Sequence, residues 1–135
     1  YTDWCGPCKM LDKNTFHNKD VVAYINENFY AVKFNAEGNE TIKYKDKTFE
    51  NPQYDPAKTG RNSIHQFAME MGISAYPTIV FFDEKGEILS PIKGYMTPQQ
   101  LEIFLKIFAT NDYKQVKTED EWKKYQENFE GTFSS

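Results

Sequence analysis

Cysteine is scarce in this chain of 135 residues: there are two, Cys5 and Cys8, separated only by Gly6 and Pro7. That excludes a framework of structural disulfides, so whatever the thiols do is local. No apolar run is long either. Runs such as Ile79 to Phe82 fall far short of the roughly 18 residues a membrane helix needs. Charge of one sign is not massed: 16 Lys and Arg stand against 20 Asp and Glu, for a net charge of -4. Basic residues this scattered offer no footprint for nucleic acid. Internal repeats, low-complexity tracts, a glycine-rich phosphate loop and a Ser-His-Asp arrangement are all missing.

What the chain has is rings. Eleven Phe, nine Tyr and two Trp can build a core despite a mean hydropathy of -0.74, because each ring buries a large area. The length suits a single domain spanning 1–135, which on folding would bury roughly two thirds of its unfolded surface.

After Cys5, residues Gly6 to Phe16 read as a helix with Pro7 in its first turn, where a missing N–H costs nothing. His17-Asn18-Lys19-Asp20 interrupts it, and Asp20 is the expected N-cap of a second piece bearing Val21, Val22, Ile25 and Phe29. Alternation of Tyr30, Val32 and Phe34 predicts a strand over Phe29 to Ala36. Residues 37–62 lack periodicity and read as a long loop. Its cations, Lys43, Lys45, Lys47, Lys58 and Arg61, are matched by acids and read as solvated surface. Asn39-Glu40-Thr41 has the form of a glycosylation sequon, a triplet that arises by chance in most chains.

Ser63 to Met71 predicts a short helix with Ile64, Phe67, Ala68 and Met71 inward and Gly72 as its cap. Thr78 to Asp83 and Glu87 to Ile92 predict a hairpin about Asp83-Glu84-Lys85-Gly86. Thr97-Pro98-Gln99-Gln100 starts a helix running to about Ala109, with Leu101, Phe104, Leu105 and Phe108 inward. A last helix, 118–129, starts at Thr118 with Glu121 at capping-box spacing. It should dock Trp122, Tyr125 and Phe129 on the domain.

Trp4-Cys5-Gly6-Pro7-Cys8-Lys9 places two thiols at a helix start, close enough to close a small disulfide ring. Unpaired N–H groups and the helix dipole favour a thiolate on Cys5; thiols so placed titrate between roughly 3.5 and 7.5 instead of near 8.5. Cys5 is then the nucleophile. Cys8, one turn inside and less exposed, is the resolving thiol. The competing reading, half of a metal site completed by His17 and His65, suits a proline-containing helix start poorly, so no metal is expected. The two histidines read as polar surface residues.

The same six residues resemble the active site of thioredoxin, and Ala75-Tyr76-Pro77-Thr78 ahead of a hydrophobic strand resembles that family's cis-proline loop. The resemblance covers residues 1–109, leaving the 37–62 loop and the 118–129 helix as additions. It implies an α/β thioredoxin-like fold with a central mixed sheet flanked by helices. It also implies a protein-disulfide oxidoreductase that needs no cofactor, takes disulfide-bearing protein clients and draws on an upstream dithiol electron donor. Pro77 would keep the thiolate open, Tyr76 would pair its backbone with a client in strand fashion, and Trp4, Gly6 and Pro7 would line the contact surface.

Gly6-Pro7 resembles the reducing members. An isomerase or oxidase, and a non-catalytic binding or chaperone module, are the alternatives. The pattern Cys8-Lys9-Met10, Thr15-Phe16, Val22, Tyr24-Ile25-Asn26 is similar to bacterial extracytoplasmic thioredoxin-like proteins, including the thioredoxin-like domains of disulfide interchange proteins. This implies an extracytoplasmic protein, periplasmic or secreted, with a cytoplasmic one as the alternative; separately, a monomer is expected. The family fold has a strand, a helix and a strand ahead of the active-site helix. The expectation is that the native chain continues upstream of Tyr1 to supply them.

Overall fold

The computed structural model describes residues 1–134. The chain is mixed α/β, with helices α1 (Gly6–Asn14), α2 (Lys19–Asn28), α3 (Gln66–Glu70), α4 (Pro98–Ala109) and α5 (Glu119–Asn128). Its strands are β1 (Ile42–Tyr44), β2 (Lys47–Phe49), β3 (Thr78–Phe82) and β4 (Ile88–Lys93). They pair as two antiparallel two-stranded sheets, β1 with β2 and β3 with β4, rather than as one central mixed sheet. Among the described residues no helix is long and apolar enough to cross a membrane. Two compact units divide the chain, Tyr1–Lys9 with Val32–Tyr95, and Met10–Ala31 with the residues from Met96 onward.

In the first unit the rings do the packing. Phe67 of α3 lies 5.7 Å from Phe34, 5.3 Å from Tyr44 and 5.4 Å from Phe49, centroid to centroid. These separations suit tilted and edge contacts between rings. Lys45 and Asp46, both at positive φ, turn the β1–β2 hairpin in the mirror-image conformation that matches strand twist. The 37–62 stretch is therefore not structureless, contrary to expectation. The hairpin is tied down at its turn by Lys45 to Glu87 and beside it by the Tyr44 hydroxyl to the Gly86 carbonyl.

The β3–β4 hairpin turns where the sequence places it. Asp83 Oδ1 accepts the N–H groups of Lys85 and Glu87, both at 2.8 Å. Helix α3 is shorter than predicted, and Ile64, expected inward, is exposed. The reason is His65, which caps the helix: its Nδ1 accepts the Phe67 N–H at 2.9 Å, so Nε2 carries the proton and donates to the Glu40 carbonyl at 2.5 Å. Read from sequence as a surface residue, His65 is fully buried. His17 is exposed, its Nδ1 against the Asp12 carbonyl.

Phe29–Ala36 is not a strand. Tyr1 N donates to the Phe34 carbonyl and Tyr1 O accepts from Ala36 N, the start of a parallel ladder. No strand continues it among the described residues, and Tyr30 and Val32 stand exposed. A strand exists only where a partner runs alongside it.

In the second unit α2 packs on α4. Asn18 caps α2, its Oδ1 accepting from Asp20 N and Val21 N. Asp20, the expected cap, instead accepts Ser134 N and Oγ. Helix α4 starts as predicted, with a complete Thr97–Gln100 capping box and Pro98 at its first turn. Leu101 and Leu105, one turn apart, are buried. Thr118 caps α5 by accepting Glu121 N at 3.1 Å. Trp122 stacks on Phe104 of α4 at 5.5 Å, with Tyr125 and Phe129 following in a row of ring contacts.

Candidate active site

Helix α1 begins at the residue after Cys5 because Pro7 fits a first turn and Cys8 falls one turn along. Cys5 and Cys8 are joined as a disulfide, with S–S 2.22 Å and Cα–Cα 5.3 Å. The Cys8 N–H donates to Cys5 Sγ at 3.1 Å. A helix-end N–H aimed at a sulfur stabilises that sulfur as a thiolate once the disulfide is opened.

The expectation that Cys8 is the less exposed of the two does not hold, since Cys5 is 3% and Cys8 7% accessible. What separates them is the direction in which they face. A cleft of about 450 Å³ is lined by Trp4, Cys5, Gly6 and Pro7 on the dithiol loop and by Arg61, Ser74, Ala75 and Tyr76; Cys8 does not line it. The sequence-predicted residues Trp4, Cys5, Gly6, Pro7 and Tyr76 thus meet at one opening. Pro77, joined to Tyr76 by a cis peptide, is buried, and its carbonyl accepts Gly94 N at 2.8 Å. Neither main-chain polar group of Tyr76 bonds to another described residue.

Trp4 is held on three sides. The Tyr76 ring meets it edge-on at 5.7 Å and 87°. The Arg61 guanidinium lies 4.8 Å over its face. Its indole N–H donates to Glu37 Oε1 at 2.9 Å. Burial pushes the Tyr76 phenol above its ordinary pKa, Glu37 adds to the rise, and Arg61 offsets part of it.

Glu37 and Arg61 were not found from sequence. Glu37 follows directly on the buried Ala36, and an acid closing an apolar alternation was the one available signal. Its Oε1 also accepts Asn62 N at 2.6 Å, while Asn51 Nδ2 donates to the carbonyls of Gly38 and Ser63. The 37–62 segment is thereby cross-braced at its ends, and its Arg61 belongs to the cleft instead of being plain solvated surface. A second recess, about 310 Å³, lies between Trp4, Glu37 and the Tyr54–Asn62 part of the segment.

No curated protein and no solved structure matches the chain. The family described as the thioredoxin-like domain matches residues 1–109, a span that holds the dithiol, the Tyr76-Pro77 loop and every residue lining the cleft. By that match, over most of its length, the chain belongs to the thioredoxin-like family.

Proposed function

We propose that this protein is a thiol–disulfide oxidoreductase that reduces disulfides in protein clients. The observation that carries the reading is the Cys5–Cys8 pair at the start of α1, with the Cys8 N–H on Cys5 Sγ and Cys5 alone of the two facing the cleft.

In the dithiol form, the Cys5 thiolate attacks one sulfur of a client disulfide. The client S–S bond breaks, a Cys5–client bond forms, and the other client sulfur leaves as a thiolate that takes up a proton. Cys8 then loses its proton and attacks Cys5 Sγ. The mixed disulfide breaks, the Cys5–Cys8 bond seen in the structure forms, and the second client thiolate is protonated. Two electrons have passed to the client, and an upstream dithiol donor returns them to the protein. The open main chain of Tyr76 suits strand-fashion pairing with the client polypeptide. Trp4, Gly6 and Pro7 form the flanking surface. Support for net reduction, against oxidation or isomerisation, is the Gly6-Pro7 pair between the cysteines.

Insulin reduction by the wild type and by Cys5→Ser, with dithiothreitol as donor, tests the reading: turnover by the wild type and none above background by the variant is expected. Equal turnover would refute it. Equilibration against glutathione fixes the direction, a potential near about -270 mV matching a reductant and one near about -120 mV an oxidant.

A further inference from the structure

We propose that Arg61 is a specificity-determining residue, drawing into the cleft those client disulfides that have an acidic side chain beside the attacked cysteine. This rests on the oxidoreductase reading and adds the class of client. Of the residues lining the cleft, Arg61 alone carries a charge; the rest are rings, small residues and the cysteine itself. Its position is built rather than incidental. Gly60, at φ +82°, turns the chain in front of it, and Glu37 Oε1 holds the Asn62 N–H directly behind it.

The guanidinium lies over the face of Trp4, and its five N–H donors form a fork whose geometry matches a carboxylate. Among the described residues no carboxylate forms an ion pair with Arg61. Glu37, the carboxylate bonded to both Trp4 and Asn62, is buried, and its Oε1 is committed to those two donors. Arg61 is therefore a held, exposed cation lining the same cleft as the sulfur that meets the client. A carboxylate on the client next to the disulfide satisfies it; a client lysine there is repelled.

The test uses the full chain, reduced beforehand with dithiothreitol and freed of it. The substrates are three synthetic peptides with one intrachain disulfide, differing only in a Glu, Gln or Lys next to the attacked cysteine. Each rate of peptide reduction is divided by that protein's own rate on the Gln peptide, which removes general effects on the thiols. The wild type is expected to favour Glu over Lys by about three- to five-fold more than Arg61→Gln does, the range of an exposed charge pair. The excess should shrink in high salt and survive in part in Arg61→Lys. The same Glu-to-Lys ratio in wild type and Arg61→Gln overturns the proposal while leaving the oxidoreductase reading intact, and covers the case in which Arg61 merely tunes the thiols. A wild type that reduces none of the peptides overturns both.

Discussion

Trp4 and Glu37 are joined by a hydrogen bond from the indole Nε1 to Oε1 at 2.9 Å, and the same oxygen takes the Asn62 N–H at 2.6 Å. One buried carboxylate thus fixes both the ring beside the dithiol and the loop that carries Arg61. Glu37→Ala strands two donors and should cost about 1–3 kcal/mol of stability, the usual penalty for leaving buried polar groups unmet. Glu37→Gln keeps an acceptor and should cost less. Urea unfolding of the two variants checks this. Equal losses in both would mean that the oxygen is not the anchor.

The two cysteines differ in facing rather than in depth, since only Cys5 lines the cleft. Cys8→Ser keeps the backbone N–H on Cys5 Sγ and removes the thiol that would release a client. Incubated with a peptide disulfide, it should accumulate a mixed disulfide visible by intact mass, while Cys5→Ser accumulates none. Comparable adducts on both variants would contradict the assigned order of attack.

Tyr125 of α5 has its phenol pushed up to about 12 by burial first and then by its hydrogen bond to Asp112, whose Oδ2 accepts from the hydroxyl at 3.1 Å. A folded-state value raised above the unfolded one means that the interaction stabilises fully below the ordinary tyrosine range, near about 10, and is lost as pH rises towards the folded value. Ultraviolet titration should therefore show a tyrosine step near about 12, absent in Tyr125→Phe and shifted down in Asp112→Asn. A late step persisting in Tyr125→Phe would assign it elsewhere.

Much of the site was legible because its signals are local. Pro7 between the cysteines marks a helix start, and Thr97-Pro98 with Gln100 marks another; neither needs a distant partner. The reading of Phe29–Ala36 as a strand failed for the opposite reason. Alternation describes one chain, whereas a ladder needs two, and Tyr1 alone supplies pairing at Phe34 and Ala36. The β1–β2 hairpin stayed hidden because Lys45 and Asp46 take positive φ without a glycine to announce it. Asn18 and Asp20 are equally good caps by type, and the choice is made by Ser134, far along the chain, which occupies Asp20. His65 and Arg61 carry no local mark at all: their roles come from Glu40, Phe67 and Trp4, brought to them by the fold.

Glu102 shows the same dependence on distance and yields an acid-stability prediction. It is 1% accessible and accepts from Lys106 Nζ at 2.6 Å, Thr132 N at 2.7 Å and Phe133 N at 2.9 Å. Burial is the largest single influence and opposes ionisation, but the bonds from Lys106, Thr132 and Phe133 together outweigh it and hold the carboxyl below its usual range. Because the folded value is depressed, the stabilisation is present above the ordinary carboxylate range and disappears as pH falls through the folded value. Glu102→Gln gives up the ionic character of three hydrogen bonds and should lose about 1–3 kcal/mol near neutral pH. The gap from wild type should then narrow in urea midpoints taken from about pH 7 into the acid range, as the pH falls through the folded value of the wild-type carboxylate and it protonates as well. A gap constant across that range would mean that residue 102 contributes by shape alone, and that its charge does not hold the 132–133 backbone in place.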